Sequence, residues 1–596
     1  MSENRLKRTI ASALWSAYGD ALGFPTELAS DKTVQQRLGH SRVTRTESWK
    51  RLVGGRFGAK VQLPAGAYSD DTQLRLSTCR AITGQGYFDV EAFAKIELPV
   101  WQSYALGAGR GSKSAASALC NRSNNWFSNF FTGYENGGGN GAAMRVQPHV
   151  WAAADLKNKD SFLADVIRNS VCTHGHMRGI AGAVVHALSL AHTLETGRVP
   201  GPEDWLNYAE DIESIHQIIA NDNELSTFWL PTWEEKSGRT LISAVIDTAN
   251  EWRQSANNAS KLVNMANFSD SAALYAKLIT SENGLSKEER GSGLKSALFA
   301  NVAAFIGKLS GSQETIEMVA NLLDSDTDTI ATMAGALIGA ASPDARFIGP
   351  VQDYVYITDE ATRMYEVSQG ESAATFNYPD TLYWQAPRAA IDMLTRNGNQ
   401  TSIEGLGNAV ASGEHYLGLQ KNTAWRWFML DFGQSILVRY RADSGLGSDK
   451  VTPVAPAQMD TPDMFRHTER LRPNSESTKV LDRHAQPAEM VEHLSKELSP
   501  TDPSLSLIPE SNKATDGYKS DPLPVDTDWA GQEQSIISSI DLDMLTNEAI
   551  KGFDPETIGR HLMLLAEQQN PISLSIAYTS IVVKARSARL KHRKPQ

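Results

Sequence analysis

The sequence predicts an all-α body over residues 1–345, then a small mixed α/β extension over 346–445, a linker over 446–534 and a helical C-terminal segment over 535–596. Three observations predict this order. Apolar residues recur at helical spacing up to about residue 345, with few strand-like alternations among them. Two β-prone runs follow, at 425–430 and 436–441. Past them the composition turns to Pro, Ser, Asp, Glu and Lys before helical periodicity returns.

The first helix is carried by Ile10, Leu14, Ala17, Tyr18, Ala21 and Leu22 on one face, and Pro25 closes it. Arg5, Lys7 and Arg8 precede this apolar run, but Tyr18, Gly19 and Asp20 interrupt it and no small-residue cleavage site follows. It reads as a folded helix and not as a signal peptide. Ile180, Val184, Val185 and Leu188 mark a second stripe. Ile330, Met333, Ala334, Leu337 and Ile338 mark a third, where Gly335 and Gly339 permit a close backbone approach. In the extension, residues 431–435 read as the turn of a hairpin whose Trp425, Trp427 and Tyr440 alternate with Arg426, Arg439 and Arg441. That alternation suits packing of one sheet face, or stacking of nucleic-acid bases. Residues 446–534 hold too little apolar surface to offset their ordering entropy. The terminal helices end in a basic run from Lys584 to Lys594, and are expected either to be solvated or to dock a partner.

The chain of 596 residues is long enough for several domains, and its 41% apolar content suffices for ordinary cores. A formal net charge of -12 argues against non-specific coating of nucleic acid. Cys79, Cys120 and Cys172 are too few and too far apart for a zinc ribbon or a disulfide framework, and suit a reduced, cytoplasmic setting. No run is long and apolar enough to span a bilayer.

Two acidic segments carry the chemistry: Ser69-Asp70-Asp71-Thr72, and Asp324-Ser325-Asp326-Thr327-Asp328-Thr329. Each stands just ahead of an apolar-periodic helix. Capping explains one or two acids at a helix start and leaves the others without a purpose. If the segments converge, four or more carboxylates share one site, and their repulsion raises pKa values or demands a cation. Oxygen-only donors select Mg²⁺, Mn²⁺ or Ca²⁺ over zinc or copper. Asp324, Asp326 and Asp328 open like an EF-hand loop, but Thr329 and Gly335 stand where that loop needs Gly and Glu, which excludes it.

Three further segments complete the pattern: GDALG at 19–23 followed by Glu27, the glycine-rich GGGNGAAMR at 137–145, and Thr173-His174. In this order the five motifs resemble those of the ADP-ribosylglycohydrolase family, over roughly residues 9 to 345. The resemblance implies a helical fold with two divalent cations, Mg²⁺ or Mn²⁺, held by Ser69, Asp70, Asp71, Asp326, Asp328 and Thr329. It implies cleavage of the glycosidic bond at C1″ of ADP-ribose, with Glu27 and Asp71 catalytic. It assigns the substrate to Gly139, Asn140, Gly141, Arg145 and His174. Residue by residue, plainer readings stand beside these. Glu27 is otherwise a surface glutamate after Pro25, and Asp20 supports either the site or its own helix. Arg145 pairs with phosphate or with a nearby acid, and His174 is otherwise a structural residue at a helix start. Asp324 and Ser325 depart from the two glycines common in the family, and residues 200–300 exceed what a minimal member needs. The expected partner is an ADP-ribosylated protein. Alternatives are a free ADP-ribosyl small molecule, a nucleic-acid adduct, or a non-catalytic ADP-ribose-binding scaffold.

Overall fold

A computed structural model of the chain describes residues 2–265, 270–398, 400–445, 541–568 and 571–591. The chain divides into two compact units, one built mainly on residues before 454 and the other on the C-terminal helices. The expected linker, 446–534, lies wholly outside the described residues.

The first unit is a helical body. Its first helix, Ser2–Gly23, buries nearly its whole second half: Leu14, Ala17, Tyr18 and Leu22 on one side, Ser12, Ser16 and Asp20 on the other. The helix Thr327–Ala341 runs antiparallel to it and is buried from Thr327 to Ala340. Glycines set the separation. A Cβ on Gly335 would stand 2.3 Å from the Trp15 carbonyl oxygen, and one on Gly23 would stand 2.6 Å from the Asp328 Cα. The close approach expected of Gly335 is therefore real, and Gly23 extends it to the acidic end. The Ser16 hydroxyl donates to the Thr332 carbonyl at 2.9 Å across the same contact. The stripe at Ile180 lies on the helix Met177–Thr196, buried over most of its length. The helix Asp70–Ala81 is buried throughout, Arg75 and Arg80 included.

An antiparallel hairpin interrupts the helices. Strands β1 (Trp49–Val53) and β2 (Ala59–Leu63) pair from Trp49↔Leu63 to Val53↔Ala59. Helical periodicity gave no warning of it, because each strand has only five residues and Lys50, Arg51 and Lys60 break up the apolar positions. Beyond the helix Tyr354–Ser368 come five antiparallel strands in sequential order: β3 (Leu394–Asn397), β4 (Gln400–Ile403), β5 (Gly407–Leu417), β6 (Ala424–Leu430) and β7 (Ser435–Tyr440). β6 and β7 are the two expected β-prone runs. Their aromatic residues pack: Trp425, Trp427 and Leu437 form one apolar cluster with Phe24, Trp49, Val61, Leu63 and Leu106.

One buried ion pair ties these parts together. Arg80 donates to both Glu97 carboxylate oxygens, at 2.7 and 2.8 Å. It also donates to Gln434, just before β7, at 2.7 Å and to the Tyr356 hydroxyl at 3.1 Å. The Tyr378 hydroxyl donates to Glu97 at 2.6 Å, and the Phe432 ring centre lies 5.2 Å from the guanidinium. Glu97 is thus satisfied by Arg80 and Tyr378, and Arg80 also ties the helical body to the residue just before β7.

The second unit carries the helices Leu542–Gly552 and Pro555–Ala566 and most of Pro571–Lys591, in line with the helical periodicity of the sequence. His561 and the Tyr578 hydroxyl are hydrogen-bonded at 2.8 Å, and Arg586 of the basic run lies 5.3 Å from the Phe553 ring centre. Among the described residues no helix is long and apolar enough to cross a membrane.

Arg80→Ala should cost about 3–5 kcal/mol of stability, because it strands the Glu97 carboxylate in the core without its cation. Urea unfolding of the full chain measures this, and a loss below about 1 kcal/mol, the worth of an exposed pair, would contradict the account.

Candidate active site

The acidic helix starts are held by different devices. Asp20, on the first helix, accepts from the Ser69 amide at 2.8 Å and from the Thr72 amide and hydroxyl at 2.9 and 2.6 Å. It therefore caps the Asp70–Ala81 helix from outside. Ser69 caps it from within, its hydroxyl accepting from the Asp71 amide at 3.3 Å and donating to the Asp71 carboxylate at 3.1 Å. Asp70 is fixed by the loop beyond Tyr104. Its amide donates to the Leu106 carbonyl at 2.8 Å, and its carboxylate accepts from the Ala108 amide at 2.7 Å.

In the second segment Asp326 is the N-cap residue and Asp328 lies in the first turn, its carboxylate accepting from the Thr329 amide at 2.9 Å. Asp324 adopts left-handed backbone, with φ +65. Glycine suits that conformation best and Asp tolerates it. The Leu28 amide donates to the Ser325 carbonyl at 3.3 Å, joining the Glu27 turn to this loop.

The two segments meet. Asp20, Asp71 and Asp328 place carboxylate oxygens within 4.8 Å of one another, and so do Glu27, Asp326 and Asp328. Burial raises the pKa of the Asp71 carboxyl, with the charges of Asp20, Asp70 and Asp326 adding to it. Asp328 is raised by burial and then by Glu27 and Asp71. Asp70 is pushed up to about 7 by burial and by Glu27. Burial likewise raises Glu27, against the opposing pull of Arg51. One Asp71 carboxylate oxygen is buried with no hydrogen-bond partner. Buried, mutually repelling carboxylates with an orphaned oxygen, flanked by the Ser69 and Thr329 hydroxyls, are a donor set that fits hard divalent cations.

This cluster lines one part of a cavity of about 1100 Å³, together with the glycine-rich loop, His174 and the exposed cations Arg110, Lys113 and Lys287. The sequence-predicted residues divide here. Gly139 and Gly141 line the cavity, and their amides carry no hydrogen bond among the described residues. Asn140 is turned to the cluster, its side-chain amide donating to Asp326 at 3.0 Å and to Ser296 at 3.1 Å. Arg145 does not line the cavity. It is wholly buried behind the loop, donating to the Gly141 carbonyl at 2.7 Å, to Asn169, and to the Thr173 hydroxyl at 2.7 Å. Its guanidinium is spent on the shape of the loop, which leaves none of it for a phosphate. His174 lines the cavity, and burial lowers its pKa to about 3, so the ring is neutral. The Thr173 hydroxyl, accepting from Arg145, lies 2.7 Å from His174 Nδ1. That hydroxyl is 3.5 Å from the Ser170 carbonyl, and donation along the shorter path, to Nδ1, places the ring proton on Nε2.

Sequence reasoning missed Arg51, which reaches the cavity from β1 and pairs with Glu27 at 3.5 Å. Detecting the hairpin was the step needed to find it. It also missed the segment that ends the long 200–300 region. There the Gly291 carbonyl accepts from the Asn140 amide at 3.0 Å, and the Gly293 amide donates to the Gly138 carbonyl at 2.9 Å. Lys287 and Arg290 of this segment join the cavity wall.

The model of the ADP-ribosylglycohydrolase family matches residues 1–370. The uncharacterized protein YegU of Escherichia coli (strain K12) is 26% identical over 242 residues, which are 38% of this chain and 63% of the relative. The match thus spans under two thirds of that relative's length. A solved structure of an ADP-ribosylglycohydrolase-related protein complex is 18% identical, covers 61% of this chain and 99% of its own, and has a TM-score of 0.36.

Two predictions follow from the geometry. Asn140→Ala should weaken Mn²⁺ affinity about 10- to 100-fold by releasing Asp326, as loss of a ligand-orienting group does, and calorimetric titration reads this. In metal-free protein the folded state holds the Asp70 proton more tightly than the unfolded chain does. The penalty for ionising it is therefore absent below the ordinary value of 3.8 and grows up to about 7. Asp70→Asn should flatten the decline of chelator-treated protein stability across that window, and an unchanged slope would contradict the assignment.

Proposed function

Because the chain belongs to the ADP-ribosylglycohydrolase family, we propose that it hydrolyses the glycosidic bond at C1″ of ADP-ribose and so removes ADP-ribose from a modified protein. The observation that carries this reading is the convergence of Asp71, Asp326, Asp328 and Glu27 at one cavity that also holds the glycine-rich loop.

Glycoside cleavage passes through an oxocarbenium-like transition state, so the site must orient the ribose and move protons. Two divalent cations, Mg²⁺ or Mn²⁺, on Asp70, Asp71, Asp326 and Asp328 with the Ser69 and Thr329 hydroxyls would supply a water of lowered pKa and a grip on the ribose hydroxyls. Glu27, half-buried at the cavity wall, moves the proton between the attacking water and the leaving group. Asp71 holds its place through the Ser69 hydroxyl and adds negative charge beside the positive charge that develops on the ribose. The Gly139 and Gly141 amides and His174 Nε2–H offer donors to the diphosphate, and Arg110, Lys113, Lys287 and Arg290 offer it positive charge. Asn140 orients Asp326, and Arg145 shapes the loop from behind.

These positions concern the ADP-ribose side of the bond, so the leaving group is identified by a panel of ADP-ribosylated substrates of defined linkage, assayed with Mg²⁺, Mn²⁺ or a chelator. Metal-loaded protein should release ADP-ribose from a modified protein. Asp71→Asn and Asp328→Asn should fall to the uncatalysed background while keeping or raising the melting temperature, since each removes repulsion from a buried cluster. Full activity in both variants would rule the reading out.

A further inference from the structure

The strands beyond residue 370 lie outside the family match, yet their side chains pack against the β1–β2 hairpin, from which Arg51 reaches the cavity wall. Trp49, Arg51 and Val53 share one face of β1, as alternate strand residues do. That face belongs to the apolar cluster of Ala59, Val61 and Leu63 from β2, Trp425 and Trp427 from β6, and Leu437 from β7. The Trp425 ring lies against the hairpin turn so closely that a Cβ on Gly54 would stand 2.4 Å from it. Backbone bonds add to this: the Leu419 amide donates to the Gly58 carbonyl at 3.2 Å and the Gln420 amide to the Phe57 carbonyl at 2.8 Å.

On this support Arg51 lies with its guanidinium 4.1 Å from the Phe24 ring centre and 3.5 Å from the Glu27 carboxylate. Phe24 and Glu27 both belong to one short turn after the first helix, which ends at Leu28 in left-handed backbone with φ +46. The sheet reaches the other flank as well. The Arg439 amide donates to the Ser103 carbonyl at 2.8 Å, and Leu106, whose carbonyl accepts from the Asp70 amide, belongs to the same apolar cluster.

We infer that residues 394–440 are part of the catalytic unit and that Arg51 is a positioning residue: backed by Trp425 and Trp427 through the β1–β2 hairpin, it holds the Glu27 turn against the cavity. The pair alone fixes little, since its closest N···O separation is 3.5 Å. Stacking on Phe24 is what restricts Arg51 to one geometry. Lysine lacks the planar group that both stacks and donates. The inference rests on the glycohydrolase reading for its kinetic consequence but not for its structural one, so two readouts are needed.

The full chain is compared with Arg51→Ala, Arg51→Lys, Trp425→Leu and Trp425→Phe. Hydrogen exchange of residues 24–29 should quicken in Arg51→Ala, Arg51→Lys and Trp425→Leu and stay closer to wild type in Trp425→Phe. In turnover assays Arg51→Ala should lower kcat about 10- to 100-fold, the scale of a misplaced reacting group, with KM within about threefold. Added to Glu27→Gln it should lower kcat no further, because Arg51 acts through Glu27. Unchanged exchange at 24–29 in Arg51→Ala overturns the inference. A loss that adds in full to that of Glu27→Gln does so too. If the wild-type chain releases no ADP-ribose from any substrate, the functional reading falls and the exchange result alone decides the positioning claim.

Discussion

The contact between the first helix and the helix Thr327–Ala341 sets the distances on which the site depends. Two helices this close leave no room for Cβ atoms at Gly23 or Gly335, so their backbones touch. The consequence is chemical. The C-terminal end of one helix, with Asp20 and the Glu27 turn, is brought against the N-terminal end of the other, with Asp326 and Asp328. Asp20 then fastens a third helix through Ser69 and Thr72, which adds Asp71 to the group. Acids at helix N-termini are ordinary and mildly stabilising. Acids from three elements gathered in one buried place are costly without a cation, and that cost makes the cluster informative about function.

Much of this was legible in the sequence, for reasons specific to the residues. Stripes at 3.6-residue spacing located the helices, and glycine at 335 and 339 announced a close approach. Acid in excess of what capping explains announced a shared site. The hairpin and its Arg51 were not legible. Five-residue strands broken by Lys50, Arg51 and Lys60 look like exposed helix or loop, and the pairing Trp49↔Leu63 joins residues that no local pattern connects. The roles of Asn140 and Arg145 were hidden for a related reason. A motif says that a side chain is needed and not which way it points. Asn140 turns to Asp326, and Arg145 turns away from the cavity to Gly141, Asn169 and Thr173.

The β-sheet shows how a segment without a recognisable motif can still matter to a site. Its aromatic residues could as well have faced solvent to stack bases, yet Trp425 and Trp427 are buried against the hairpin. Arg80, paired with Glu97 inside the body, makes a second bond to the sheet by donating to Gln434 just before β7. Replacing such a pair by apolar side chains is often neutral for stability, so its value here is that it admits only one arrangement of the parts it joins.

The central claim is that the Asp70–Ala81 and Thr327–Ala341 helices together form one dinuclear cation site. The most direct measurement is the electron paramagnetic resonance spectrum of the full chain with two equivalents of Mn²⁺. The account predicts an exchange-coupled spectrum that gives way to an isolated-ion signal, or to none, in both Asp71→Asn and Asp328→Asn. A wild-type spectrum of uncoupled Mn²⁺ that neither substitution alters would contradict it.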